Sequence, residues 1–237
     1  MYVTSDNKGL LNRNILKVIA LVAMTLDHIG LQLFPQHSFL RIIGRLAFPI
    51  FAYMIAEGCF YTRSRRRYLA TIAIVALICQ LVYFFAMHSL YQCIFVTFTL
   101  SILLIYSLDN FLNKRNTSSL FLALLAYVFV IFITEYMPKI LSKTDFYVDY
   151  GFFGVFLPVI VYFSNGRITK LLSATACIVI LAVLNGGAQW YSLLAIPLLA
   201  LYNGEKGKYN LKWLFYIYYP LHLVAIYFVG IAINAFV

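Results

Sequence analysis

Apolar runs recur along this chain, each close to the roughly 20 residues a helix needs to cross a bilayer core of about 30 Å. Runs at about 15–34, 39–61, 69–87, 91–111, 119–136, 149–163, 170–186, 189–203 and 213–235 leave only short connections between them. Apolar and aromatic residues make up 63% of the 237 residues and charged ones 11%, more apolar surface than a soluble domain can hide. The pattern predicts an all-α fold: a polytopic transmembrane helical bundle of about nine helices, forming one integral membrane domain over 1–237.

A net charge of +10 would point to nucleic acid in a soluble protein, so the placement of the basic residues decides its meaning. Fourteen lie in the N-terminal segment and the even-numbered connections: Lys8, Arg13, Lys17, Arg63, Arg65, Arg66, Arg67, Lys114, Arg115, Arg167, Lys170, Lys206, Lys208 and Lys212. Only Arg41, Lys139 and Lys143 belong to the odd-numbered connections, and Arg45 is left inside a run. By the positive-inside rule this bias predicts a multi-pass membrane protein with the N-terminus in the cytoplasm and the C-terminus outside. Membrane lipids account for the charge, and no nucleic-acid partner is expected.

Cys59, Cys79, Cys93 and Cys177 fall in apolar runs with no CxxC pair, so they read as small buried hydrophobes and not as a metal site or disulfide framework. The first run is longer than a signal peptide, contains Asp27 and His28 and has no small-residue cleavage site after it, so it is expected to stay as the first helix. Asn185-Gly186-Gly187 suggests a tight turn. P-loop, GxSxG, HExxH and Rossmann patterns are absent.

Ionisable side chains inside hydrocarbon cost several kcal/mol each, and so mark candidate function. Lys17 and His28 are eleven residues apart in LKVIALVAMTLDHIG. At about 100° per residue they share a helix face, about 16 Å apart along the axis. A cation near the cytoplasmic surface can hold phosphates, and a deeper histidine can act as a general base. The separation matches an extended pantetheine arm, with coenzyme A phosphates at Lys17 and the thioester near His28. The structural alternative is a lysine that reaches the interface and a histidine paired with a neighbouring helix.

The second run contributes Arg41, Arg45 and Glu57, with Pro49 predicted to kink it. Arg45 keeps its charge and needs a partner, either Asp27 or a substrate anion. A structural Arg45–Asp27 pair is compatible with a catalytic role. YTRSRRRY follows at a cytoplasmic end, where arginines set topology and contact lipid headgroups, and Arg63 is the one expected to reach an anionic cofactor. The last run brings Tyr216, Tyr218, Tyr219 and His222 into the membrane, with His222 at a depth similar to that of His28 in a helix running the same way. Arg41, Glu57 and Tyr219 complete the expected cofactor contacts.

These blocks carry a resemblance. LKVIALVAMTLDHIG (16–30), LRIIGRLAFPIFAYMIAEG (40–58) followed by YTR, YGFFGVFLP (150–158), LYNGEKGK (201–208) and LFYIYYPLHL (214–223) resemble the TraX family of bacterial membrane proteins. That family is associated with N-terminal acetylation of conjugative pilin, and the resemblance implies a multi-pass protein of the bacterial cytoplasmic (inner) membrane. A basic residue, ten intervening residues and a histidine also look like the motif of the membrane acyltransferase type three family. That likeness implies His28 in acyl transfer from a cytoplasmic acyl-coenzyme A and Lys17 in its binding. The chain departs from that larger family in having nine expected helices where ten is usual.

The expectation is therefore an acetyl-coenzyme A-dependent membrane acetyltransferase. In it His28, oriented by Asp27 or another carboxylate, deprotonates an acceptor amine or hydroxyl, and Arg45 or His222 stabilises charge on the thioester carbonyl. A thioester is already activated, so no metal is needed. The acyl acceptor would be a pilin N-terminus or a surface glycan. The alternatives are an ion- or proton-coupled transporter using Asp27, His28, Arg45 and Glu57, or a non-catalytic assembly factor for a conjugation or pilus system.

Overall fold

The computed structural model describes residues 9–209 and 211–236; Lys8 of the cytoplasmic charge count lies outside them. The described residues are helical throughout apart from turns and two isolated bridges, Leu11 with Tyr202 and Gln92 with Val148. In chain order the α-helices are α1 Arg13–Gln32, α2 Ser38–Gly44, α3 Ala47–Tyr61, α4 Arg65–Met87, α5 Ile94–Lys114, α6 Thr117–Ile131, α7 Met137–Ile140, α8 Gly151–Phe163, α9 Arg167–Asn185, α10 Ala195–Ala200 and α11 Lys212–Phe236. A π turn, Phe132–Tyr136, joins α6 to α7, and a 3-10 helix, Gly187–Leu194, precedes α10. All four cysteines are buried, as their apolar settings imply.

Among the described residues seven stretches are long and apolar enough to span a membrane: α1, α2 with α3, α4, α5, α6 through α7, α9 and most of α11. Capping side chains start several of them earlier than hydropathy suggests. The Asn12, Ser64 and Asn116 side-chain oxygens accept from the backbone N–H groups of Ile15 (3.1 Å), Arg67 (3.4 Å) and Ser119 (2.8 Å). The second span breaks at Arg45-Leu46. Pro49 explains this: it has no N–H for the Arg45 carbonyl, and its ring crowds that carbonyl.

Two of the nine expected spans are shorter than a bilayer crossing. The 13 residues of α8 reach about 20 Å. It starts at Tyr150 and Gly151, both at positive φ (61° and 56°), and buries Gly154, Val155, Leu157 and Val159. Near 189–203 the chain forms the 3-10 helix and α10, because Gly186 and Gly187, at φ 63° and 50°, end α9 and turn the chain tightly. Together those two elements reach about 25 Å.

The chain divides into two compact units, Met1–Met54 with Ala174–Val237, and Ile55–Ser173. In the first, α1 packs against α2 and α11, and the loop before α11 is tied to the entry of α1. Leu11 N–H donates to the Leu201 carbonyl (2.9 Å), Asn203 N–H to Leu11 (2.9 Å) and Arg13 N–H to Glu205 (2.8 Å). In the second, α5 is the central helix and packs against α4, α6 and α8. Thr97 Oγ1 donates to the Asp149 carbonyl (2.7 Å) and Ser101 Oγ to Val155 (2.8 Å), so hydroxyls join α5 to the start of α8 where water is excluded.

Candidate functional site

The site is built along the seam of α1 and α11. The Lys17 ammonium lies 5.1 Å from the centre of the Phe215 ring, Thr25 meets Tyr218, and His28 meets His222. Further on, Leu33 approaches Gly230. The partners advance together along both helices, so α1 and α11 run parallel. Five stretches between them are long and apolar enough to cross; with each of these crossing once, parallel α1 and α11 require that α8 and the Gly187–Ala200 segment either both cross or both do not. The stripe from Lys17 to His28 passes through buried Leu21 and Met24, as the helical period requires.

At the far end of this stripe His28 Nδ1 and His222 Nε2 are 3.0 Å apart. His222 Nδ1 lies 3.2 Å from the Tyr218 carbonyl, which can only accept, so that nitrogen carries the proton. With both rings neutral, His222 Nε2 is then an acceptor and His28 Nδ1 the donor to it. The remaining nitrogen, His28 Nε2, holds a lone pair, and no described residue meets it.

Tyr218 and Tyr219 hold the pair in place. The Tyr218 ring stacks on His222 at 5.5 Å and 7°. Thr25 Oγ1 donates to the Leu21 carbonyl (2.8 Å), so it must accept from the Tyr218 hydroxyl, also 2.8 Å away. Buried Tyr219 stands edge-on to both imidazoles, at 6.2 Å from His28 and 5.0 Å from His222.

Asp27 precedes His28 but turns to α2. Arg45 Nη2 lies 2.7 and 2.8 Å from the two Asp27 oxygens, and Arg41 Nε is 3.6 Å from Oδ1. Arg45 Nη1 also donates to Gln189 Oε1 at 3.4 Å, and Gln189 Nε2 to Ser192 Oγ at 2.9 Å. His222, and not Asp27, therefore takes the orienting bond of His28. Two guanidiniums and one carboxylate leave this cluster net positive. Its position depends on the break at Arg45-Leu46 and on close approach of α1 to α2 at Gly30 and Gly44.

Other expected site residues sit elsewhere. Lys17 is half-buried at the opposite end of the stripe. Glu57 and Arg63 belong to the second unit, where buried Glu57 accepts from Lys170 Nζ at 2.8 Å and Arg63 is exposed after α3. Thr25, Tyr218, Gln189 and Ser192 enter the networks without having been singled out as site residues. Gln189 carried a readable signal, a lone amide in the apolar stretch after Gly186-Gly187. Thr25 carried none, because a hydroxyl in a membrane helix ordinarily bonds back to its own backbone, as this one also does.

The family model described as TraX protein matches residues 12–230. A probable fimbrial assembly protein, FimC of serogroup H1, from Dichelobacter nodosus is 28% identical over 235 residues, covering 88% of this chain and 91% of that protein. An uncharacterized protein of Rickettsia prowazekii (strain Madrid E) is 44% identical over 55 residues, 23% of this chain and 22% of that protein. The aligned stretch thus spans about a fifth of the Rickettsia relative. No solved structure matches the chain.

Proposed function

The chain belongs to the TraX family, and from that premise we propose that it serves pilus or fimbrial assembly as an acetyltransferase of the bacterial cytoplasmic membrane. It takes the acetyl group from cytoplasmic acetyl-coenzyme A and passes it to an acceptor amine or hydroxyl, with a pilin-like N-terminus as the first candidate. The single observation that carries the enzymatic reading is the free Nε2 of His28, backed at Nδ1 by His222 3.0 Å away. The printed name of the Dichelobacter relative supports the assembly context.

The residues fit such a donor. Lys17 and His28 face one seam about 16 Å apart, with the cation at the end where the basic 201–209 loop is fastened to α1. For an amine acceptor, a C–N bond forms at the thioester carbonyl and the C–S bond breaks. His28 Nε2 takes the proton from the attacking nitrogen and returns it to the departing thiolate. The positive excess of Arg41 and Arg45 over Asp27 favours the negative charge that develops on the carbonyl oxygen. His222 holds the base in its reactive tautomer.

The test uses purified full-length protein in detergent, labelled acetyl-coenzyme A and peptides with pilin-like N-termini. Wild type is expected to transfer label, His28→Ala to lose transfer, and Lys17→Ala to raise KM for the donor. Normal turnover by His28→Ala sinks the mechanism. A second reading, a non-catalytic assembly factor, is favoured by the fimbrial-assembly relative. It is the one that survives if His28→Ala supports pilus assembly at wild-type levels and wild type transfers no label.

A further inference from the structure

The second unit contains a groove of about 560 Å³ along the hairpin of α5 and α6. Its walls are almost wholly apolar, with Leu103 from α5 and Leu122, Leu125 and Phe129 from α6. The polar side chains Ser107 and Asn110 come toward the end of α5. Ser107 Oγ donates to its own backbone, at Leu104 (3.0 Å), but the Asn110 amide has no hydrogen-bond partner among the described residues. An unpaired amide beside hydrocarbon calls for an acceptor from outside the protein.

One helical turn beyond Asn110, about 6 Å along the axis, the hairpin turns through Lys114 and Arg115. Both are exposed and form no ion pair with any described residue. The nearest carboxylate on α5, Asp109, does not cancel them, because Arg65 Nη2 holds it at 2.6 Å. The charge bias puts this turn on the cytoplasmic side, where the leaflet surface is negative. Apolar walls, then an amide donor, then two cations follow the order of an acyl chain, an ester carbonyl and a phosphate.

We propose that the groove between α5 and α6 is a binding site for an anionic phospholipid, with one acyl chain along Leu103, Leu122, Leu125 and Phe129, its ester carbonyl at Asn110 and its phosphate at Lys114 and Arg115. The site lies in the unit that does not contain the histidine pair, and the proposal stands apart from the acetyltransferase reading.

Native mass spectrometry of the full-length protein tests it, with phosphatidylglycerol and phosphatidylcholine offered separately in detergent. The expected result is a retained phosphatidylglycerol, and phosphatidylcholine retained at least tenfold less. The double variant Lys114→Gln, Arg115→Gln should lower phosphatidylglycerol retention roughly thirtyfold. Leu125→Trp, at an exposed position, fills the groove and should lower it at least tenfold, and Asn110→Leu severalfold. Equal retention of the two lipids overturns the proposal. So does unchanged retention in monodisperse Leu125→Trp and Asn110→Leu, which leaves only a headgroup contact, and so does a lipid-free dimer that occupies this face.

Discussion

Gly44 is a glycine because the Asp27 side chain occupies the place where its β-carbon would stand. The α1–α2 hairpin closes through this contact and through Gly30, where an added β-carbon would lie 2.7 Å from Leu40 Cβ. Between membrane helices, where lipid is as apolar as leucine, close approach of this kind does the work that hydrophobic burial does in water. Gly44→Ala is therefore expected to destabilise the protein by about 1–3 kcal/mol. Val22→Ala, on the exposed face of α1, should leave the melting temperature in detergent nearly unchanged. Equal melting of Gly44→Ala and wild type would refute the close-packing argument.

The Asp27–Arg45 contact predicts a coupled pair. Asp27→Asn leaves two guanidiniums without their carboxylate and should cost about 3–5 kcal/mol. Arg45→Gln should cost a comparable amount, and the double variant clearly less than the sum. A thermodynamic cycle from detergent-phase unfolding measures the difference, and additivity within about 0.5 kcal/mol would mean that the ion pair contributes nothing specific.

For the histidine pair, His28→Ala should lower the proposed transfer rate by about 10²–10⁴-fold, the usual worth of a general base. His222 acts through His28, so chemistry at position 222 should sort by whether an acceptor remains. His222→Gln keeps a side-chain oxygen near the old Nε2 and should retain much of the rate, with the acid limb of the pH–rate profile unmoved. His222→Leu should lose the rate and move that limb. Identical behaviour of the two variants would reduce His222 to a packing residue.

The loop before α8 gives a pH prediction. Asp145 accepts from the Ser89 hydroxyl and from Leu90 N–H (2.8 Å), and these bonds hold its pKa below the usual 3.8. A depressed carboxylate pKa contributes stability above the ordinary value and loses it as pH falls through the folded value. Wild type should thus lose melting temperature below about pH 4, and Asp145→Asn should lose less over the same range. Parallel acid profiles for the two proteins would show that these bonds do not couple to folding.

Orientation is testable because the native cysteines are buried and should label poorly. With the N-terminus inside, as the charge bias predicts, a cysteine at Thr144 should react with an impermeant maleimide added to whole cells. One at Ser118 should react only after permeabilisation. The reverse pattern would invert the topology.

The site was legible in the sequence where one helix carries all the information. Lys17 and His28 share a stripe because eleven residues make just over three turns, and the depth of His222 follows from counting along α11. The partner of Asp27 was legible as a charge that had to be answered. Pro49 marked a kink in the second span, and the break falls at Arg45-Leu46 because the proline disrupts the carbonyl four residues before it. The helix expected at 149–163 is present as α8 but is only 13 residues long, and the run expected at 189–203 folds as a 3-10 helix followed by α10, because hydropathy registers apolar burial without registering helix length or continuity.

The solvent, the class of fold and the helices that carry the ionisable groups can all be read along the chain. These follow from hydropathy, from the 3.6-residue period and from the cost of charge in hydrocarbon, all local or additive properties. Which nitrogen of His28 is free, that His222 and not Asp27 lies behind it, and that Glu57 answers Lys170 emerge from the packing of the helices. Those outcomes depend on hydrogen bonds a few ångströms long between residues more than a hundred positions apart, and no pattern along the chain encodes them.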